Sequence, residues 1–156
     1  MASPKRLLIV YHTQTGNTQR LLEAVERGAR DPAITHLDVV TKSALLATPE
    51  DVLASQGILL GTPENFGYMS GAMKYFFDHV YYPCLEHTQG LPYGLFIRAG
   101  NDGRGALLSV ERIVAGLRWK LVCEPVIAAG ELQPWHFEAC EALGTTLAAG
   151  LEAGVF

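Results

Sequence analysis

Between His12 and Thr18 the chain carries no Lys and no Arg, although Tyr11-His12-Thr13-Gln14-Thr15-Gly16-Asn17-Thr18 is crowded with hydroxyls. Lacking that Lys, the stretch is not a Walker loop, whose Lys reaches the outer phosphates of a nucleotide. Gly16 stands alone where a dinucleotide fingerprint needs three spaced glycines. Cysteine is also scarce. Cys84, Cys123 and Cys140 are widely separated, odd in number and free of any Cys-x-x-Cys pairing, so buried free thiols in a reducing cytoplasm are expected. No basic stripe is present and the net charge is −4, which argues against a nucleic-acid partner. No apolar run approaches a membrane span, so no membrane partner is expected. The run Leu7–Tyr11 behind Lys5-Arg6 is too short for a secretory core and ends in polar His12-Thr13. Clusters that carry chemistry are missing too. Ser70 and Ser109 have no His/Asp companions, and His79 and His87 lack metal-ligand spacing. Any reaction is therefore expected to belong to a bound cofactor, with no metal and no catalytic nucleophile from the chain.

At 156 residues, 49% hydrophobic and 18% charged, the sequence suits a single domain, residues 1–156, with a substantial core. Lys5–Tyr11 reads as a strand buried on both faces, because its apolar run is continuous rather than alternating. From Gly16 to Arg30, Leu21, Leu22, Val25 and Ala29 recur at helical spacing, and Asp31-Pro32 ends the helix. Ile34–Val40 reads as a second strand at an edge, with His36 and Asp38 on one face. Thr48-Pro49 is a helix start within residues 43–55. Gly57–Gly61 is a third buried strand. It leads into the turn-rich loop Thr62–Gly71 and a helix that Pro83 terminates after about Tyr82.

Tyr93–Arg98 gives a fourth strand, followed by the turn Ala99–Gly105 and a helix striped with Leu107, Val110, Val114 and Leu117. Leu121–Ala129 is a fifth strand, which Pro125 places at a sheet edge. A last helix starts near Pro134 and buries Phe137, Cys140, Leu147 and Leu151. Strands alternating with helices make an α/β chain with a parallel sheet covered on both faces. Two edge strands then give the order 2-1-3-4-5. The sheet reverses between strands 1 and 3, so the loops Thr13–Thr18 and Thr62–Gly71 flank one crevice, with Ala99–Gly105 beside it. Free N–H groups and hydroxyls at the helix start after His12 suit a phosphate held by neutral donors. The plain alternative is a polar turn in which Thr15 or Asn17 caps the helix.

The pattern Thr13-x-Thr15-Gly16-x-Thr18 resembles the phosphate-binding loop of flavodoxins, which holds the monophosphate of FMN. Gly61-Thr62-Pro63-Glu64-Asn65-Phe66-Gly67-Tyr68-Met69-Ser70-Gly71-Ala72-Met73-Lys74 resembles the flavin-contacting loop of flavodoxin-like NAD(P)H oxidoreductases and Trp-repressor-binding-protein-type quinone reductases. The shared features are a Gly-x-Pro, an aromatic-Gly, a small-residue helix start and a Lys; the third loop matches loosely. The resemblance implies a three-layer flavodoxin-like fold, with a five-stranded parallel sheet of order 2-1-3-4-5 and helices on both faces. It implies FMN as the cofactor. The first loop would hold it through Thr13, Gln14, Thr15, Gly16, Asn17 and Thr18. The second would add Pro63, Glu64, Asn65, Phe66, Gly67 and Tyr68, and the third Ala99, Gly100, Asn101, Asp102 and Gly103.

Phe66 and Tyr68 would offer apolar faces to the ring, or else pack beneath the following helix. Arg98 has two readings as well. A cation at the strand end would stabilise a reduced, anionic flavin, which Asp102 and Glu64 would oppose. Paired with Asp102 it would be a surface ion pair worth about 0–1 kcal/mol. The expected function is electron transfer through bound FMN, with a redox partner protein or NAD(P)H as donor, in a monomer or small homo-oligomer. The alternative is an NAD(P)H-dependent FMN or quinone reductase. A receiver-like binding module would need acidic residues where His12-Thr13 and Gly61-Thr62 stand.

Overall fold

The computed structural model describes residues 3–156. The chain runs β1 (Lys5–Tyr11), α1 (Asn17–Ala29), β2 (Leu37–Ser43), α2 (Pro49–Leu53) and β3 (Gly57–Asn65). It continues through β4 (Tyr68–Met69), α3 (Gly71–Cys84), β5 (Pro92–Ala99) and α4 (Arg104–Leu117). β6 (Lys120–Leu121), β7 (Val126–Ala129) and α5 (Pro134–Ala153) complete it.

The apolar run of β1 divides between two cores. Leu8 and Val10 pack with Ile58, Leu60, Phe76, Phe77, Val80, Val110 and Val114, under α3 and α4. Leu7 and Ile9 pack with Leu59, Leu21, Leu22, Val25, Leu143 and Leu147, under α1 and α5. Strand side chains alternate faces, so a strand covered on both sides must be apolar at every position. Each fully buried Leu, Ile, Val or Phe stabilises the fold by roughly 1.5–3 kcal/mol. Among the described residues no helix is long and apolar enough to cross a membrane.

Among the described residues the sheet has seven strands in the order β2-β1-β3-β5-β6, with β4 paired to β3 and β7 paired to β5. This corrects the expected five-stranded sheet of order 2-1-3-4-5, and two local causes account for the difference. First, the expected fifth strand is broken. β6 pairs Lys120 with Pro92, and β7 pairs Val126 with Phe96, but the residues between them leave the ladder. Pro125, at the end of that gap, has no N–H to donate. Second, β3 does not stop at Gly61. It continues to Asn65, turns at Phe66-Gly67 and returns antiparallel as β4, pairing Asn65 with Tyr68.

Two boundaries shift as well. β2 occupies Leu37–Ser43 rather than Ile34–Val40, because Asp31 holds the Ile34 N–H through its carbonyl and the Ala33 N–H through its carboxylate. The pairing with β1 then runs from Lys5–Leu37 to Tyr11–Ser43. α3 carries Pro83 inside its last turn and ends at Cys84. Pro83 forgoes the helical bond to the carbonyl four residues before it, and only Cys84 follows it in the helix. Thr48 caps α2 as expected, accepting from the Asp51 N–H while Asp51 accepts from the Thr48 N–H.

Candidate functional site

The strand order puts β1 between β2 and β3, so the chain leaves β1 and β3 toward opposite faces of the sheet. The gap at their carboxyl ends is the switch point where ligands of this sheet type bind. There lies a cavity of about 520 Å³, lined by Gln14, Thr15, Asn17, Pro63, Glu64, Asn65, Phe66, Arg98 and Gly100. Ligand pockets of drug-sized molecules run to about 300–1,000 Å³. All three expected loops reach it.

The first wall is the N-terminus of α1. Its cap is Gly16, at φ 93, a left-handed conformation that glycine adopts without strain. Neither Thr15 nor Asn17 caps the helix. The Thr13 hydroxyl accepts the Gly16 N–H at 3.1 Å, and the first helical bond is Arg20 N–H to the Gly16 carbonyl at 3.2 Å. The N–H groups of Asn17, Thr18 and Gln19 therefore have no partner within the helix. Thr18 is buried; Gln14 and Thr15 are exposed. Burial pushes the His12 imidazole below its usual pKa, so at neutral pH this end of β1 adds no cation.

The contrast with α4 is informative. That helix also starts on a glycine, Gly103, at φ 73 and with no capping side chain. Two of its first-turn amides are nevertheless taken: Asp102 Oδ1 accepts the Arg104 N–H at 3.1 Å, and Glu64 Oε2 accepts the Ala106 N–H at 3.0 Å. α3 is capped by the Ser70 hydroxyl. Among the described residues, α1 is the helix start at this crevice whose first turn has no side-chain acceptor at all.

The second wall is the β3–β4 hairpin. Phe66 at φ 54 and Gly67 at φ 70 are both left-handed, the signature of a two-residue type I′ turn. For Phe66 that conformation costs roughly 1–2 kcal/mol. Its ring gains no packing in return, being 107% exposed at the cavity rim. Tyr68 is 40% exposed. The hairpin is held from behind. Met69 N–H donates to the Ser109 hydroxyl at 3.1 Å, which gives that serine a structural place. Gly105 lies so close to Gly67 that a Cβ there would collide with the Gly67 carbonyl oxygen. Across the cavity mouth, Asn65 Nδ2 donates to Gln14 Oε1 at 2.9 Å, joining the first two loops.

The third wall is the end of β5. Ala99 is buried, Gly100 lines the cavity, and Asn101 and Asp102 are exposed. Gly103 is buried against Ile127. Arg98 does not pair with Asp102. Its Nη1 donates to the carbonyls of Ala99 and Ala128, the latter at 3.4 Å, while its buried Nε has no partner among the described residues.

Of the expected residues, the structure gathers Gln14, Thr15, Asn17, Pro63, Glu64, Asn65, Phe66 and Gly100 at the cavity. Thr13, Gly16 and Gly103 shape its loops. Gly67 and Tyr68 face a second groove of about 250 Å³ behind the hairpin, with Leu108, Ser109 and Arg112. Glu64 serves as the cap of α4, which no local pattern announces because its partner lies 42 residues away.

The chain is 31% identical to a flavodoxin of Aquifex aeolicus (strain VF5), over 92% of this chain and 85% of that protein. It is 32% identical to an NAD(P)H dehydrogenase (quinone) of Archaeoglobus fulgidus over 47% of this chain, and spans about half of that relative, 50% of its length. A solved flavodoxin from the domain Archaea superposes with a TM-score of 0.80 at 18% identity, covering 94% of this chain and 99% of that one. That likeness concerns the fold alone. The NADPH-dependent FMN reductase family matches residues 6–131, a span that takes in all three crevice loops, and this chain belongs to that family.

Proposed function

We propose that the chain is an FMN-binding redox protein whose cofactor lies in the crevice between the α1 N-terminus, the β3–β4 hairpin and the end of β5. One observation carries the reading: an α1 N-terminus without a capping side chain adjoins, through Asn17, a cavity with an uncovered aromatic ring on its rim. The helix dipole and these donors suit a phosphate dianion without an ion pair. The hydroxyls of Thr15 and Thr18 add neutral donors of the same loop. Phe66 stacks on one face of a flat ring, and the left-handed backbone beneath it fixes where that face points. Glu64 and Ser109 keep the hairpin registered against α4, so the two walls hold their spacing.

FMN, when bound, supplies a ring that accepts two electrons and releases them as a pair or singly. The protein binds, orients and tunes it. The exposure of Phe66 leaves the crevice open to a second ligand, which favours NAD(P)H as electron donor over a sealed carrier site. Quinone or free flavin then fits as the acceptor. A redox protein docking at the same rim is the other partner the open site accommodates.

Thr15→Val with Thr18→Val tests the phosphate assignment. Two hydrogen bonds to a charged group are lost, at about 1.5–3 kcal/mol each, so FMN affinity falls by a few kcal/mol. Riboflavin, which has no phosphate, should bind both forms alike in a fluorescence titration. Equal losses for both ligands, or none, would show that the loop does not hold the phosphate. Stopped-flow mixing of the FMN-loaded protein with NADPH tests the reductase role: bleaching within the time of turnover supports it, and a flavin that stays oxidised defeats it.

A further inference from the structure

We propose that the Arg98 guanidinium is the cation that faces the pyrimidine edge of the flavin ring and stabilises the negative charge the ring gains on two-electron reduction. The proposal rests on the FMN reading of the crevice and concerns how the site is tuned.

Arg98 is half-buried in the cavity wall and, among the described residues, makes no ion pair. The carbonyls of Ala99 and Ala128 tether Nη1 at the strand end, and Nε is buried without an acceptor among the described residues. A buried, under-partnered charge is costly unless something anionic completes it. Glu64 lines the same cavity, but its Oε2 is committed to the Ala106 N–H at the start of α4. Asp102 is exposed and holds the Arg104 N–H. Both carboxylates near the strand end thus already serve the start of α4, and an anionic ligand atom in the crevice would give the guanidinium the direct partner it lacks.

FMN offers two anionic positions, its phosphate and, after reduction, N1 of its ring. The phosphate has its own site on α1. Arg98 is the second-last residue of β5, which is two strands away from β1 across β3. Neighbouring strands lie about 4.8 Å apart, so about 10 Å separates the strand that feeds the phosphate loop from the strand that carries Arg98. That separation suits the span of a ribityl chain and puts Arg98 at the ring. When a hydride reaches N5, its electron pair enters the ring system and leaves one negative charge at N1, and the nicotinamide donor becomes NAD(P)⁺. A fixed guanidinium there favours the product and raises the two-electron potential, as a reductase requires.

Sulfite is the probe, because its lone pair adds to N5 and leaves the same charge at N1 with no other reactant. Wild-type, Arg98→Met and Arg98→Lys proteins are loaded with FMN and titrated with sulfite, and their potentials are measured. Sulfite affinity should fall at least about tenfold in Arg98→Met, since one charge is lost within a few ångströms of N1. The potential should fall by about 30 mV for each tenfold. Arg98→Lys should restore most of both. FMN bound to Arg98→Met with sulfite affinity and potential unchanged would overturn the inference alone. So would a loss of FMN affinity without loss of riboflavin affinity, which would assign Arg98 to the phosphate. The wild-type protein gives a reading that needs no variant. It should bind sulfite and take up one proton per two electrons near neutral pH; two protons per two electrons overturns the inference. A wild-type chain that does not bind FMN overturns the reading of the crevice itself, and this inference with it.

Discussion

Replacing Phe66 with Asn should make the apoprotein more stable and the cofactor complex weaker. Phe66 sits at φ 54 in a turn whose next residue, Gly67, is at φ 70. Asn-Gly is the dipeptide best suited to such a turn, whereas an aromatic residue there bears a cost of roughly 1–2 kcal/mol. The Phe66 side chain is 107% exposed, so its removal opens no cavity and leaves the relief of strain uncompensated. The Gly67 carbonyl keeps its seat beside Gly105, and the pairing of Asn65 with Tyr68 is unchanged. A net gain of about 1 kcal/mol should raise the melting temperature by roughly 2–4 °C in a chain of this length. The complex loses a stacked ring, worth about 0.5–1.5 kcal/mol beyond its buried area, so Kd for FMN should rise by about tenfold or more. Thermal unfolding of the apoprotein by circular dichroism and fluorescence titration with FMN read the two effects. A lower melting temperature would show that the turn is not strained. Unchanged FMN affinity would show that the ring does not stack there.

Gly105→Ala should displace the hairpin, because the new Cβ meets the Gly67 carbonyl oxygen. The expected loss is about 1–3 kcal/mol in urea unfolding together with weaker FMN binding; an unaltered variant would contradict the close approach. Asp51 should shape the acid limb of the stability curve. Burial raises its carboxyl pKa, but the bond to Lys42 and those to the Thr48 amide and hydroxyl outweigh it and hold the group below its ordinary 3.8. A folded pKa below the unfolded one stabilises fully above the unfolded value and loses that stabilisation as pH falls through the folded one. Asp51→Asn should therefore flatten stability between about pH 5 and about pH 2, and a limb parallel to the wild type would contradict the assignment.

What the sequence made legible is the part governed by local rules. The unbroken run Leu7–Val10 followed by a hydroxyl-rich turn marked the first strand and the loop that opens onto the crevice, and Pro125 marked a sheet edge. The hairpin was hidden because two of its residues contradict the usual signals. Pro63 sits inside β3 paired with Arg98, where proline normally ends a strand, and Phe66 occupies a turn position that Asn or Gly normally fills. Both exceptions lie at the cavity, where local preference gives way to a site. The partners of Glu64 and Ser109 were illegible for another reason. They join the hairpin to α4 across about forty residues of chain, 42 for Glu64 and 40 for Ser109, and no period or motif records such a contact.

The most direct measurement is a crystal structure of the chain grown with FMN. The phosphate should lie within about 3 Å of the Asn17 and Thr18 amides, with the ring between Phe66 and the end of β5. A phosphate bound away from α1, or a crevice left without flavin at saturating FMN, would contradict the proposed site.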